Sequence, residues 1–243
     1  MKYLIKLTLL FIFFYSCKNN EIQNNFVLLP KVKSIEYSGE SSSLNHDSEY
    51  FFHSETNSEL PVLLDSSFKL IKGDFDNNNL SYKINDEIDI PAEGYYLNIS
   101  KNSIDITAKD EAGLFYSFNS LRQLITDSKD QNINLPVVSI KDFPSLKYRS
   151  IHIDVKHHTE KKEYYFKLID ELASLKINGI IVEFEDKLGY EKRPIIAAPD
   201  SYSISWWKSL SNYANDRNIK ISPLIQGLGH ASFILKHDKY KGL

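Results

Sequence analysis

Three short apolar runs in this chain end on side chains able to bind polar groups or move protons. The first, Ser150 to Val155, offers His152 and Asp154 and is followed at once by Lys156, His157 and His158. The second, Gly179 to Glu185, offers Glu183 and Glu185, with Asp186 next in line. The third, Ile219 to Gln226, ends on an amide and leads through a Gly-rich turn to His230. Carboxylates, imidazoles and amides serve to hold hydroxyls or to act as acids and bases. For a metal the pattern is poor, because no pair has the helix-based spacing of His-Glu-x-x-His. One cysteine, Cys17, leaves neither an intramolecular disulfide nor a Cys-based zinc site. Each residue also has a plainer reading: Glu183 or Glu185 paired with a lysine in a packed interior, His157 and His158 solvated in a loop.

The elements between these runs give them a common edge. Thr159 can cap a helix carrying Tyr165, Leu168, Ile169, Leu172 and Leu175, and Ser203 or Ser205 can cap one carrying Trp207, Leu210 and Ala214. Tyr164, Tyr165 and Phe166 read as core and helix-face residues. Trp206 and Trp207 cannot both face inward on one helix. Strand, helix, strand, helix, strand implies parallel strands with right-handed crossovers, either an open doubly wound sheet or the start of a closed barrel. Ligands of such folds lie at the C-terminal ends of the strands, where the polar residues fall. Strand alternation puts Val182 and Phe184 on one face and Glu183 with Glu185 on the other.

Upstream, from Phe26 to about Ile140, short strands alternate with Asn, Asp, Ser and Gly. Phe26 to Pro30 opens the series and Pro61 to Leu64 continues it, with a turn over Asp74 to Asn79. Gly94 to Ser100 and Ser103 to Ala108 alternate apolar with polar and form a hairpin across Lys101-Asn102. Leu114, Phe115, Phe118, Leu121, Leu124 and Ile125 then fall at helical spacing behind Asp110 and Glu111, which suit a helix N-terminus. Pro136 to Ile140 is a last short strand. Strands with one helix on a face make an α+β layer.

The N-terminus reads as an address. Lys2 and Lys6 precede the apolar run Leu7 to Tyr15, too short for a membrane span, which wants about 20 apolar residues. The run ends in Phe14-Tyr15-Ser16-Cys17, which resembles the bacterial lipoprotein signal, with Cys17 as the lipidated residue; the other reading is an ordinary signal peptide with an incidental cysteine. Lys18 to Asn25 is a polar tether. Export and lipid anchoring to the bacterial cell envelope, in the periplasm or at the cell surface, follow as expectations. The formal charge of −3, from 29 basic and 32 acidic residues, argues against a nucleic-acid partner.

Glu93-Gly94-Tyr95-Tyr96-Leu97, Asp110-Glu111-Ala112-Gly113-Leu114-Phe115-Tyr116 and Leu121-Arg122-Gln123-Leu124 resemble the non-catalytic N-terminal domain of glycoside hydrolase family 20, the β-N-acetylhexosaminidases. Phe143-Pro144, Tyr148-Arg149 and Ile151-His152-Ile153-Asp154 resemble the first strand of that family's barrel. Asn178 to Asp186, Tyr190-Glu191, Pro223 to His230 and Phe233 to His237 look closest to its hexosaminidase D-like branch. With the N-terminal address, the resemblance divides the chain into a signal peptide (1–17), a tether (18–25), an α+β N-terminal domain (26–142) and an α/β segment (143–243). This last part would be a truncated (β/α)8 TIM barrel of about three βα units.

In that family the substrate's own acetamido oxygen attacks the anomeric carbon, an aspartate steadies it, and the adjacent glutamate protonates the leaving oxygen. No cofactor or metal is implied; the implied partner is an N-acetylhexosamine-containing glycan. The strand ends and the resemblance together give a substrate-binding set of Arg149, Asp154, Glu183, Glu185, Asp186, Gln226 and His230. Within it Arg149 would bond sugar hydroxyls, His230 would lie in the pocket wall, and Glu185 and Asp186 would occupy a loop that carries a sugar-binding acid in other branches. Arg149 shares parity with Ile151 rather than Asp154, so it reaches the others only by a bulge or a long reach. The family's Asp-Glu dyad belongs to the fourth barrel strand, past Leu243. Asp86-Glu87, Asp110-Glu111, Asp170-Glu171 and Glu185-Asp186 all lie elsewhere. No residue of this chain is therefore named as the general acid, and an open, aggregation-prone C-terminal part is expected. A lipid-anchored accessory protein that binds glycan is the competing reading.

Overall fold

The computed structural model describes residues 26–56, 58–62, 68–74, 76–227 and 229–242. The expected signal peptide, the lipidation at Cys17 and the tether lie outside these residues, as do Leu63 and Leu64 of the expected second strand. Seven strands form a mixed sheet: β1 (Ser34–Ser41), β2 (Glu49–Ser54), β3 (Lys69–Lys72), β4 (Leu80–Ile84), β5 (Tyr95–Ile99), β6 (Ile104–Ala108) and β7 (Pro136–Asp142). Their order is β1-β7-β5-β6-β4-β2-β3. The hairpin forms as expected, with Ile99 opposite Ile104 and Ser100 N–H donating to Ser103 O across 2.8 Å. Alternation does what it predicts there: Tyr95, Leu97 and Ile99 are buried while Asn98 is exposed.

The segment Phe26 to Pro30 is not a strand. Its period of two is real, because Phe26 and Leu28 are buried while Val27 and Leu29 are exposed. Its backbone, however, pairs with helix α1 (Glu111–Gln131). Val27 N–H donates to Asp127 Oδ2 and Leu29 N–H to Gln123 Oε1, each at 2.7 Å, and Gln123 Nε2 donates back to Leu29 O at 2.8 Å. Pro61 and Val62 are likewise outside any strand.

Helix α1 starts where the acidic pair placed it. Asp110 is the cap: its Oδ1 accepts from Gly113 N–H and its Oδ2 from Glu93 N–H, both at 2.8 Å. A Cβ on Gly113 would lie 2.4 Å from Gly94 O, so glycine lets the first turn rest on the turn before β5. The two motifs around Gly94 and Gly113 are thus in contact. The helix buries both faces, one on the sheet and the other, through Asn119 and Ser120, on the segment that follows.

That segment holds three parallel strands, β8 (Ser150–Asp154), β9 (Gly179–Glu183) and the later β12 (Lys220–Leu224), ordered β12-β9-β8. Helix α2 (Lys162–Ser174) joins the first two. The second crossover contains the short paired strands β10 (Leu188–Gly189) and β11 (Tyr202–Ser203) and helix α3 (Ile204–Asn215). Both longer helices cover one face, where Ile153, Ile180, Val182 and Ile221 meet Tyr165, Leu168, Ile169, Trp207 and Leu210. The opposite face carries His152, Asp154 and Glu183. Helix α4 (Ser232–Leu235) follows β12. No helix among the described residues is long and apolar enough to cross a membrane.

Several sequence boundaries move. Thr159 does not cap α2, which starts at Lys162 behind Lys161 with no side-chain cap; Thr159 Oγ1 faces Asp200 Oδ2 instead. Ser203 caps α3 by accepting from Trp206 N–H. Trp207 is buried, and Trp206 is half-buried with its ring centroid 4.2 Å from that of Tyr202.

Candidate functional site

Residues from all three strands converge at their C-terminal ends. Register places Asp154 beside Glu183 and Glu183 beside Leu224, two residues before Gln226. Glu183 is the centre. Lys156 Nζ lies 2.7 Å from its Oε1, Gln226 Nε2 donates to the same oxygen at 2.9 Å, and His152 Nε2 lies 3.2 Å from Oε2. Lys156 also reaches Asp154 Oδ2 at 2.8 Å, and its backbone N–H donates to Asp154 Oδ1 at 3.0 Å. Lys156 belongs to the turn that leaves β8, so a single side chain spans two strand ends.

The charges follow from these contacts. Hydrogen bonds from Lys156 and then Gln226 hold the Glu183 carboxyl below its ordinary pKa, against the desolvation that would raise it. At Asp154 desolvation is the largest influence and acts upward, but the Lys156 side chain and backbone N–H together outweigh it and hold that carboxyl low as well. The two carboxylates in turn raise the Lys156 ammonium. The plainer reading of Glu183, a glutamate paired with a lysine, is correct in geometry, and its partner is Lys156.

Glu185 is not placed by strand alternation. Strand β9 stops at Glu183; Glu185 begins a short 3-10 turn, Glu185–Lys187, with φ of 44°. That turn nonetheless returns its carboxylate to the site, 3.9 Å from His230 Nδ1, where His230 itself has φ of 54°. Asp186 points to the next loop, its Oδ2 2.8 Å from Lys236 Nζ in the turn after α4. Glu183, Glu185 and His230 each bring one ligand atom within 4.8 Å of the others, a spacing that could hold a cation. A cation there would compete with Lys156 for Glu183.

Arg149 is not brought to this cluster. It precedes β8, at the opposite end of the sheet, and its guanidinium is consumed at the junction with the first domain. It donates to Glu93 Oε2 at 2.5 Å, Lys176 O at 2.6 Å, Leu146 O at 2.8 Å and Tyr116 OH at 3.1 Å. Strand parity already set Arg149 apart from Asp154, and no bulge intervenes in the β8–β9 ladder to return it. The sequence set thus keeps Asp154, Glu183, Glu185, Gln226 and His230 together, with Asp186 behind them. His152 and Lys156, which the sequence places at the end of the first run but outside the substrate-binding set, belong to the same cluster.

Residues 25–143 match the family described as glycosyl hydrolase family 20, domain 2. A β-hexosaminidase of Vibrio vulnificus is 36% identical over 96 residues, covering 40% of this chain and 11% of its own. Hexosaminidase D of Bos taurus is 33% identical over 91 residues, covering 37% and 26%. The crystal structure of a β-N-acetylhexosaminidase from Bacteroides fragilis superposes with a TM-score of 0.71 at 26% identity, over 86% of this chain and 46% of that one. The chain belongs to glycoside hydrolase family 20. Its first sheet with α1 is the α+β domain of that family. The family 20 chain spans about a tenth to a quarter of the length of these curated relatives, and under half of the solved structure.

Proposed function

We propose that this chain carries the sugar-holding part of a β-N-acetylhexosaminidase, in which β8, β9 and β12 are the first three strands of a (β/α)8 barrel. The enzyme would remove terminal N-acetylhexosamine from glycans, with retention and with the substrate's acetamido group as nucleophile. The observation that carries this reading is the convergence of His152, Asp154, Lys156, Glu183 and Gln226 at the C-terminal ends of adjacent parallel strands, where such folds bind ligands. The names of the relatives supply the sugar class.

The same geometry favours binding over turnover for the residues present. A general acid needs a pKa raised toward neutrality. Asp154 and Glu183 are both held low as anions. Asp154 and Glu183 are acceptors for sugar hydroxyls rather than proton donors, which leaves room for the accessory reading, a glycan binder that does not cleave. Junction residues around Arg149 would position the strands on the first domain.

Amide and side-chain NMR of the 243-residue protein titrated with N-acetylglucosamine tests the proposal. Saturable shifts at Gln226, Glu183 and their neighbours, absent with glucose, are expected. Shifts confined to the first domain, or none at all, would refute it.

A further inference from the structure

A cavity of about 230 Å3 lies at the junction that holds Arg149, away from the strand-end cluster. Its lining comes from residues in 30–33, ahead of β1, from residues in 142–149, between the two sheets, and from Glu93, Tyr116 and Lys176. Four of these side chains are cationic, Lys31, Lys33, Arg149 and Lys176, against two carboxylates, Glu93 and Asp142. Both carboxylates are already matched. Asp142 Oδ2 lies 2.7 Å from Lys176 Nζ, and its Oδ1 accepts from Lys33 N–H at 3.2 Å. Glu93 Oε2 accepts from Arg149 at 2.5 Å, and its Oε1 from Asn178 Nδ2 at 3.2 Å.

The surplus is in donors. A guanidinium has five N–H groups, and the bonds of Arg149 to Lys176 O, Leu146 O, Glu93 and Tyr116 use four, which leaves one on Nη1. Lys33 Nζ donates to Ser145 Oγ and sits 5.2 Å from the Phe143 ring centroid, with no carboxylate against it among the described residues. Lys31 is exposed and has no ion-pair partner among the described residues. Pro30, Phe143 and Pro144 supply apolar wall beside these groups. A ligand that satisfies such a lining must bring acceptors and negative charge on a compact apolar body. A cavity of about 150 Å3 accepts benzene, so this one takes a single ring.

We infer that the junction cavity binds a ring-sized organic anion, its carboxylate held by Lys31, Lys33 and the remaining Arg149 N–H, its ring against Pro30, Phe143 and Pro144. Lys176, Asp142 and Glu93 are positioning residues here, since they neutralise one another and Arg149 and leave the net charge at Lys31 and Lys33. The lining draws on the first domain and on the turn between α2 and β9, so an occupant ties the two together. This site is separate from the proposed sugar-holding one and does not depend on it.

Calorimetric titration of the full 243-residue protein with sodium benzoate and with sodium glucuronate, each against sodium chloride at equal ionic strength, tests the assignment. Saturable one-to-one binding is expected: benzoate alone points to an aromatic acid as the source, glucuronate alone to an acidic sugar, and both to the shared chemistry. No binding of either at millimolar concentration would overturn the proposal. Inorganic phosphate binding as tightly as the carboxylates would overturn it too, since the ring would then contribute nothing. Amide NMR of the unaltered protein locates the ligand without any variant. Shifts should gather over residues 30–33 and 142–149 and at Tyr116; shifts centred on Lys156 and Gln226 would reject the cavity. Lys31→Ala combined with Lys33→Ala should weaken binding about tenfold or more, and unchanged affinity would count against the site.

Discussion

Asp142, the last residue of β7, holds its Oδ2 2.7 Å from Nζ of Lys176, which lies in the turn between α2 and β9. Both side chains are buried, and the same ammonium meets Tyr95 OH at 2.9 Å and Ser120 Oγ at 3.0 Å. Lys176 takes a φ of 58° there. A charge from the three-stranded segment is thus planted inside the α+β domain. Burial pulls the Lys176 pKa below the ordinary lysine value, and Asp142 opposes that pull. Removing one member of a buried pair strands the other, a loss of about 3–5 kcal/mol. Lys176→Ala should lower unfolding stability by that order. The double variant Lys176→Met with Asp142→Asn should recover part of it, as read by denaturant midpoints at constant slope.

The strand-end cluster sets a pH window. Asp154 and Glu183 have folded pKa values below their unfolded ones, so their contribution is present above about pH 4 and is lost as pH falls through the folded values. Lys156 is raised, so its contribution is complete below the ordinary lysine value of about 10.4 and is lost as pH climbs past it. Hydrogen exchange at the β9 amides should therefore be best protected between roughly pH 5 and pH 10 after correction for the intrinsic rate. Lys156→Met should weaken protection at both strand ends and remove its decline on the alkaline side.

Two glycines separate backbone constraint from side-chain contact. A Cβ at Gly113 meets a carbonyl oxygen at 2.4 Å, whereas at Gly179 it meets the tip of the exposed Tyr148 ring at 2.5 Å. Gly113→Ala should destabilise by about 1–3 kcal/mol, although alanine in an open helix gains about 1 kcal/mol over glycine. Gly179→Ala should cost less, because Tyr148 can swing away. Paired thermal melts of the two variants check the order.

Lipid anchoring at Cys17 is our proposal for localisation, with export to the cell envelope. Labelled palmitate should enter the protein in bacterial cells and co-sediment with membranes, and Cys17→Ser should abolish both. Unchanged membrane association in that variant would reject the anchor.

The sequence was most legible where local chemistry and tertiary contact agree. Asp110 caps α1 and also holds Glu93, and the β5–β6 hairpin turns where its polar residues lie, so one signal served both levels. It failed where the partner was remote. The alternation of Phe26 to Leu29 predicts a ladder, but Asp127 and Gln123 of a helix supply the acceptors and the donor. Glu185 was assigned to the correct neighbourhood by the wrong device, since a turn with positive φ returns it after the strand has stopped. The motif draws Arg149 to the pocket, although its parity puts it on the other face and its position ahead of β8 puts it at the other end. Lys156 stands at the end of the first run without a role, because its role comes from the register that places Asp154 beside Glu183.

Hydrolysis of p-nitrophenyl N-acetyl-β-D-glucosaminide by the purified 243-residue protein tests most directly whether Asp154 and Glu183 are held as anions that bind and do not donate. Release of p-nitrophenol should match the buffer rate across the window in which Asp154 and Glu183 stay charged. Saturable turnover that disappears in Asp154→Asn or Glu183→Gln would contradict the account, since it would make one of these held carboxylates the acid.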